Sequence, residues 1–548
     1  MMSDPQRRSL CEAVDGSILM DHMQELARRV KLSGTPDELQ SLNYFRSKLD
    51  EYGYRTRLIM HDAYISLPGK ARVDVDNQAL TSITHSFSRS SPANGVTGRL
   101  VYLGDGDEAD FTGRDLHGVI VLMEGIASPG QAARASHAGA VGQVQISPHE
   151  HLHEMCVSPV WGSPSGDTQS DLPSTVVCTV SNVDGSVLRE RLSRGEQPKV
   201  TLHAEVDTGW RQTPILEAEI DAPDPDGPFI LFSGHHDTWH YGVMDNGAAN
   251  ATMLEVARLT ARERSRWRRG LRLCFWSGHS HGRYSGSAWY ADQHWNQLER
   301  RCAVHVNVDS TGGVGAVVLK NAAAAPELIA LAGDAIGEQA GSEYAGKRMS
   351  RSSDQSFWGI GIPAMFGALS EQPPAPVRMR NALGWWWHTP HDLLDKIDEN
   401  NLVRDTRVYV HTLWRLLTDP VLPLDFSAHA RALLDELSTL RASLGERFSV
   451  DGLIAAATTL HDNAATGGQS DAALMSASRA LAPVYYTSGD RFSHDPALPL
   501  PAWPVLDPLR RLAKMAPGTD SARFLAVSAT QGRNRLAHAL REATEALS

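Results

Sequence analysis

The chain has 548 residues, a formal net charge of −12, 42% hydrophobic residues and 21% charged residues. That length exceeds one hydrophobic core and suggests about three domains, with a composition ordinary for a soluble globular protein. The acidic balance and the lack of a long basic run exclude a general nucleic-acid binder, and no window of about 18 apolar residues offers a membrane span.

The N-terminus, MMSDPQRRSLCEAVDG, has no apolar segment of the signal-peptide kind. Cys11, Cys156, Cys178, Cys274 and Cys302 are scattered, with no Cys-x-x-Cys pair. Free thiols in a reducing compartment fit that pattern, so the expected localisation is cytoplasmic. From Ser17 to Tyr52 apolar residues recur at helical spacing (Ile18, Met20, Met23, Leu26, then Leu39, Leu42, Phe45, Leu49), which predicts two helices. A strand over 55–60 follows, and Leu67-Pro68-Gly69 reads as a turn. Residues 72–213 are β-rich and broken by Gly and Pro, with an uninterrupted apolar run at 118–123 of the kind a buried strand shows. From about residue 214 the pattern alternates: strands over 229–232, 271–276 and 303–308, with helices over 248–264 and 287–300 between them. This alternation predicts a mostly parallel mixed sheet flanked by helices. The arginines between 262 and 272 read as the solvated end of a helix. Residues 420–548 read as helices separated by Pro-rich turns. The expected organisation is a discontinuous sheet-based domain (1–71 and 214–419), an inserted β-rich domain (72–213) and a helical domain (420–548).

Chemistry-bearing residues gather where these strands end. Ser233-Gly234-His235-His236-Asp237 closes one strand, and Asp245-Asn246 precedes the next helix. Ligands of open α/β sheets collect at the carboxyl ends of strands. His235 and Asp245, ten residues apart, can meet across one loop and share a divalent ion, and Asp237 is placed to orient a liganding imidazole. Asp309 closes a later strand, and His388 and Asp392 follow the aromatic run Trp385-Trp386-Trp387. Three adjacent tryptophans do not all face one core, so Trp387 is a candidate for the pocket wall. Arg348, Arg351, Arg378 and Arg380 are candidates to receive a substrate carboxylate by bidentate hydrogen bonding.

On these residues the chain resembles the M28 family of co-catalytic zinc peptidases, and its layout resembles glutamate carboxypeptidase II and the transferrin receptor. The resemblance implies a zinc exopeptidase-like fold with a protease-associated-like domain at 72–213 and a dimerisation-like helical domain at 420–548, hence a homodimer. It assigns His235, Asp245, Asp309 and His388 as ligands of one or two divalent ions, expected to be Zn2+. Asp237 matches the carboxylate behind the first ligand. Asp354, in Ser353-Asp354-Gln355-Ser356-Phe357, matches a segment near the substrate pocket. The family's Glu-Glu pair, a general base followed by a metal ligand, falls here on His279 and Ser280, and no carboxylate occurs in that loop. An imidazole serves as a base near neutral pH and also ligates zinc. His279 is therefore expected to replace the base, and His279 or His281 to supply the missing ligand.

The expected function is metal-dependent hydrolysis of an amide bond in a small molecule or short peptide, by a metallopeptidase or a specialised amidase. Two alternatives stand beside it. One is a non-catalytic dimeric binding protein of the same fold. The other is a serine hydrolase built on Gly278-His279-Ser280-His281-Gly282, which matches G-x-S-x-G, with Asp354 and His388 following in chain order. The glycines of that loop delay any helix to about residue 287, which disfavours it. His149-Glu150-His151-Leu152-His153 fits H-E-x-x-H, yet Pro148 and Pro159 confine it to a short segment. It reads as a solvated polar loop; only if it overhangs the site would it present His151 or His153 to substrate.

Overall fold

Two long strands set the architecture. The computed structural model describes residues 4–374 and 382–548. Arg55–Val75 and Lys199–Ile220 pair antiparallel from Arg55 opposite Glu219 to Val75 opposite Val200. They run through both halves of one continuous sheet, and residues 72 and 213 lie inside them. In one half Lys199–Ile220 pairs antiparallel with Gly270–Trp276, beyond which Phe229–His235, Cys302–Asn307 and Ala364–Met365 lie mutually parallel. In the other, Val96–Tyr102, Val119–Glu124, Gly142–Ile146 and Val176–Val180 are parallel, and Ser82–Thr84 closes the edge antiparallel. The fold is α/β: a mixed sheet flanked by helices, as the alternating pattern predicts.

Every residue of Phe229–His235, Gly270–Trp276 and Cys302–Asn307 is buried. Central strands covered by helices on both faces require this. Ala249–Ala261 packs its apolar residues into the main core, while Val73, Leu100, Ile120, Leu122, Val144 and Leu202 form a separate core in the inserted half. The turn expected at Leu67-Pro68-Gly69 does not form. The strand continues, and its register shifts between Pro68 and Ala71. Pro68 has no ladder donor, and a Cβ on Gly69 would meet the Glu205 carbonyl oxygen at 2.9 Å, so this segment makes a bulge instead of a reversal.

Helices Phe426–Leu444, Asp451–Ala465, Asp471–Tyr486, Asp507–Lys514 and Asp520–Leu547 fill the C-terminal region. Three of them start on side-chain caps, where Asp425, Ser470 and Thr519 each accept an amide three residues on. The arginine run is not all solvated. Arg269 is fully buried, bidentate to Asp471 at 2.7 and 2.9 Å and bonded to the Leu416 and Asp419 carbonyls. Arg272 is buried against Glu219. All five cysteines are buried and unpaired. Among the described residues, no helix is long and apolar enough to cross a membrane.

Candidate metal centre

The parallel strands bring His235, Trp276 and Asn307 to one edge, and the loops beyond them carry the polar residues. After His235 the chain loops to Asp245, whose peptide bond to Asn246 is cis. The Asn246 side chain fixes the strand ends together: its Nδ2 donates to the His235 and Val308 carbonyls at 3.2 and 3.3 Å, and its Oδ1 accepts from the Ser310 amide at 3.0 Å. From the other side the buried Asp392 carboxylate accepts the Met244 and Asp245 amides at 2.9 and 3.0 Å. These contacts hold Asp245 against two imidazoles. Its Oδ1 lies 3.1 Å from His235 Nε2, and its Oδ2 lies 3.0 Å from His388 Nε2. Asp309 Oδ1 is 3.9 Å from His235 Nε2.

Proton placement follows from the partners. His235 Nδ1 contacts the Asp237 carbonyl oxygen at 2.8 Å, and His388 Nδ1 contacts the Glu154 carbonyl oxygen at 2.7 Å. A carbonyl only accepts, so each Nδ1 carries the proton and each Nε2 turns a lone pair toward a carboxylate. Lone pair against anion is stable only with a proton or a cation between them. His235 Nε2 and Asp245 Oδ1 are buried and lack hydrogen-bond geometry despite their separation, as atoms aimed at a common third partner would be. The residues therefore fit a divalent cation, with the second imidazole nitrogens braced by carbonyls in the usual way. Without a cation, burial pulls the His235 imidazole down, but Asp245, Asp309 and Asp237 outweigh it and lift it to about 10. Burial and then the neighbouring Asp245 raise the Asp309 carboxyl above its ordinary range.

Donor atoms of His235, His279 and Asp309 lie within 4.8 Å of one another. The rings of His235 and His279 stack, with centroids 3.6 Å apart and planes 11° from parallel. An imidazole lone pair lies in the ring plane, so two parallel stacked rings do not aim at one ion. His279 Nδ1 donates to Asp354 Oδ2 at 2.8 Å, so Nε2 is the ring nitrogen left for the cluster. Asp354 is fully buried, and its Oδ1 accepts from Ser287 Oγ at 2.8 Å. It was expected near substrate. The structure makes it the partner that orients His279.

Asp237 also differs from expectation. Its backbone carbonyl, not its carboxylate, braces His235; the carboxylate Oδ1 is 3.9 Å from His235 Nδ1. That carboxylate accepts the His279 and Ser280 amides at 3.1 and 2.9 Å and the Ser33 hydroxyl at 2.7 Å, so it anchors the 278–282 loop. His281 is turned away from the donor cluster. Its Nδ1 lies 3.0 Å from Ser33 Oγ, and its ring packs 4.4 Å from Trp239. Ser280 Oγ is buried without a hydrogen-bond partner, so no imidazole activates it.

Trp387 is buried and stacks on His388 with centroids 3.5 Å apart, while Trp385 stays partly exposed and stacks on His151 at 4.2 Å. The 149–154 segment does reach the site: the Glu154 amide donates to the His388 carbonyl at 3.0 Å, and His153 Nδ1 donates to the Trp387 carbonyl. Arg351 is spent elsewhere, on the Asp495 and Pro496 carbonyls and the Trp161 ring, and Arg348 on the Leu500, Tyr485 and Pro501 carbonyls. Arg378 and Arg380 lie outside the described residues. Sequence reasoning missed Ser33, Lys31 and Glu154. Lys31 is buried, and its Nζ donates to the Leu26, Arg29 and Tyr241 carbonyls, tying the N-terminal segment to the loop after His235. Burial lowers its ammonium to about 8.

Residues 217–413 match the sequence model of peptidase family M28. Among curated proteins, a probable glutamate carboxypeptidase of Zea mays is 21% identical over 531 residues, covering 80% of this chain and 72% of that protein. Among solved structures, a peptidase M28 precursor from Shewanella amazonensis superposes with a TM-score of 0.60 at 19% identity, covering 76% of this chain and 97% of its own. A zinc aminopeptidase from Bacillus subtilis does so with a TM-score of 0.56 at 18% identity, covering 74% and 95%.

Proposed function

We propose that this chain, whose residues 217–413 make it a peptidase family M28 hydrolase, cleaves a peptide or amide bond in a small molecule or short peptide with the help of a divalent metal ion. The observation that carries the reading is the convergence of His235, Asp245, Asp309 and His388 on one strand edge, with His279 beside them and its Nδ1 held by Asp354. When bound, zinc or a similar ion would supply a Lewis acid for the scissile carbonyl and the attacking water. His235, Asp245 and Asp309 would hold it.

The chain's own residues perform the proton work. His279 Nε2 takes a proton from the attacking water and returns it to the leaving amine. Asp354 keeps the His279 proton on Nδ1 and balances the charge that forms on the ring. Asp237 holds the loop backbone so that the His279 ring stays on His235. The partly exposed Trp385 and His151, one from each half of the sheet, form an aromatic lip beside His388 and Trp387 that suits a flat or apolar substrate group.

The test uses purified protein loaded with Zn2+, assayed on aminoacyl amides, dipeptides and N-acyl amino acids before and after chelation. Turnover that chelation abolishes and Zn2+ restores supports the reading. Metal-loaded, folded protein that turns over none of these substrates would replace it with the non-catalytic binding protein of the same fold. Ser280→Ala should keep near-normal turnover, since its hydroxyl has no base.

A further inference from the structure

We infer that this chain retains one ion, on the His235 side of Asp245, and does not hold a second on the His388 side. The inference rests on the metal-dependent reading above and concerns how the donors divide. On the His235 side stand three protein donors: His235 Nε2, Asp245 Oδ1 at 3.1 Å from it, and Asp309 Oδ1 at 3.9 Å from it. Three protein ligands with a fourth position open are what a catalytic zinc requires. On the other side stand His388 Nε2 and Asp245 Oδ2, 3.0 Å apart.

The neighbours of His388 supply no third ligand. His281 bonds Ser33 through Nδ1 and packs on Trp239, which also packs on His388; its Nε2 has no hydrogen-bond partner, and among the described residues it forms no ion pair with Asp245. His391 lies against His151 and Trp385. Glu154 offers His388 its backbone, and its carboxylate lies 3.6 Å from His240 Nε2. Ser280, adjacent to His279, brings a neutral hydroxyl. The group of three potential donors found among the described residues is His235, His279 and Asp309; it leaves out both His388 and Asp245, so the place of Asp245 rests on its 3.1 Å approach to His235 Nε2. Charge points the same way. Among the described residues Asp245 is the carboxylate in contact with His388, and it is shared with the His235 side, so a second ion would enter with no carboxylate of its own.

The experiment counts metal. Wild-type protein, Asp309→Asn and His388→Ala are loaded with excess Zn2+, passed through metal-free buffer and analysed by elemental mass spectrometry, with circular dichroism melts to confirm folding. Wild type and His388→Ala should each retain one ion per chain, and Asp309→Asn should lose it. Two retained ions in wild type would overturn the inference while leaving the metal-dependent reading intact, as would release of the ion by folded His388→Ala. No retained ion in wild type would overturn both. If a variant fails to fold, the wild-type count decides alone.

Discussion

Asp354→Asn isolates the pairing that gives His279 its role. In the wild type, His279 Nδ1 donates to Asp354 Oδ2 at 2.8 Å, and the other carboxylate oxygen is fixed by Ser287 at 2.8 Å. The amide is nearly isosteric, so packing and fold should persist. It is neutral, however, and can turn either its oxygen or its NH2 toward the ring. A hydrogen bond to a charged partner contributes about 1.5–3 kcal/mol, which converts to a loss of roughly 10- to 10²-fold in kcat when the imidazole must become charged in the transition state. His279→Ala removes the base itself and should cost about 10²- to 10⁴-fold. Neither change touches a donor on the His235 side, so retained metal should be unaltered in both. The assay is steady-state kinetics on the best substrate of the panel, paired with metal analysis of the same preparations. Unchanged kcat in Asp354→Asn would refute the orienting role. Loss of metal in His279→Ala would refute the stacking argument, because it would make His279 a ligand.

Three further outcomes follow from contacts away from the reacting atoms. Asp392→Asn leaves one amide donor facing the Met244 or Asp245 N–H, so metal affinity should fall about 10- to 100-fold; an unchanged dissociation constant would show that the loop sets itself. His85 is fully buried, its Nδ1 accepts the Met155 amide at 3.1 Å, and burial lowers it to about 3. Its folded value lies below the unfolded value, so the stability it contributes is present above about pH 6.5 and lost as pH falls toward 3, about 2 kcal/mol by pH 5. Urea midpoints at pH 7 and pH 5 should separate in wild type and draw together in His85→Asn; equal shifts in both would discount this histidine. Arg269→Ala strips Asp471 of its bidentate partner and leaves the Leu416 and Asp419 carbonyls without their donor, which should cost about 3–5 kcal/mol in denaturant unfolding, and a loss under 1 kcal/mol would mean water replaces it.

What was legible in the chain and what was not divide along physical lines. His235, Asp245, Asp309 and His388 could be read because each follows an apolar run or an aromatic block that marks where a strand or loop must end. Ser33, 204 residues from the Asp237 carboxylate it bonds, and Glu154, 234 residues from the His388 imidazole it braces, leave no such trace. A polar contact between distant segments has no periodicity. For the same reason Asp354 could be placed near the site but not given its task, and Arg351 could be named as a carboxylate receptor although its guanidinium is spent on backbone carbonyls.

At His279 and Ser280, where the resemblance to family M28 places a Glu pair, residue types alone allow His279 to be a base, a ligand or neither. A loop that had drifted after losing its chemistry would be expected to leave buried polar groups orphaned, each costing about 1–3 kcal/mol. The His279 side of the loop does the opposite. His279 bonds Asp354, Asp354 bonds Ser287, Ser287 lies 2.8 Å from Ser356, and Ser356 accepts the Trp161 indole N–H at 2.9 Å. Orphaned atoms occur at Ser280 Oγ and His281 Nε2, and also at Ser277 Oγ and the side-chain amide of Gln355, next to Asp354 in the chain. His279 thus has an orienting carboxylate that is itself held by a hydroxyl, while Ser280 and His281 each keep an unpartnered side-chain atom. An orienting partner of this kind is what the proposed role of His279 as a base requires. The turnover and metal assays on Asp354→Asn and His279→Ala decide between that role and a chain kept only for packing, since buried polar groups are satisfied in either case.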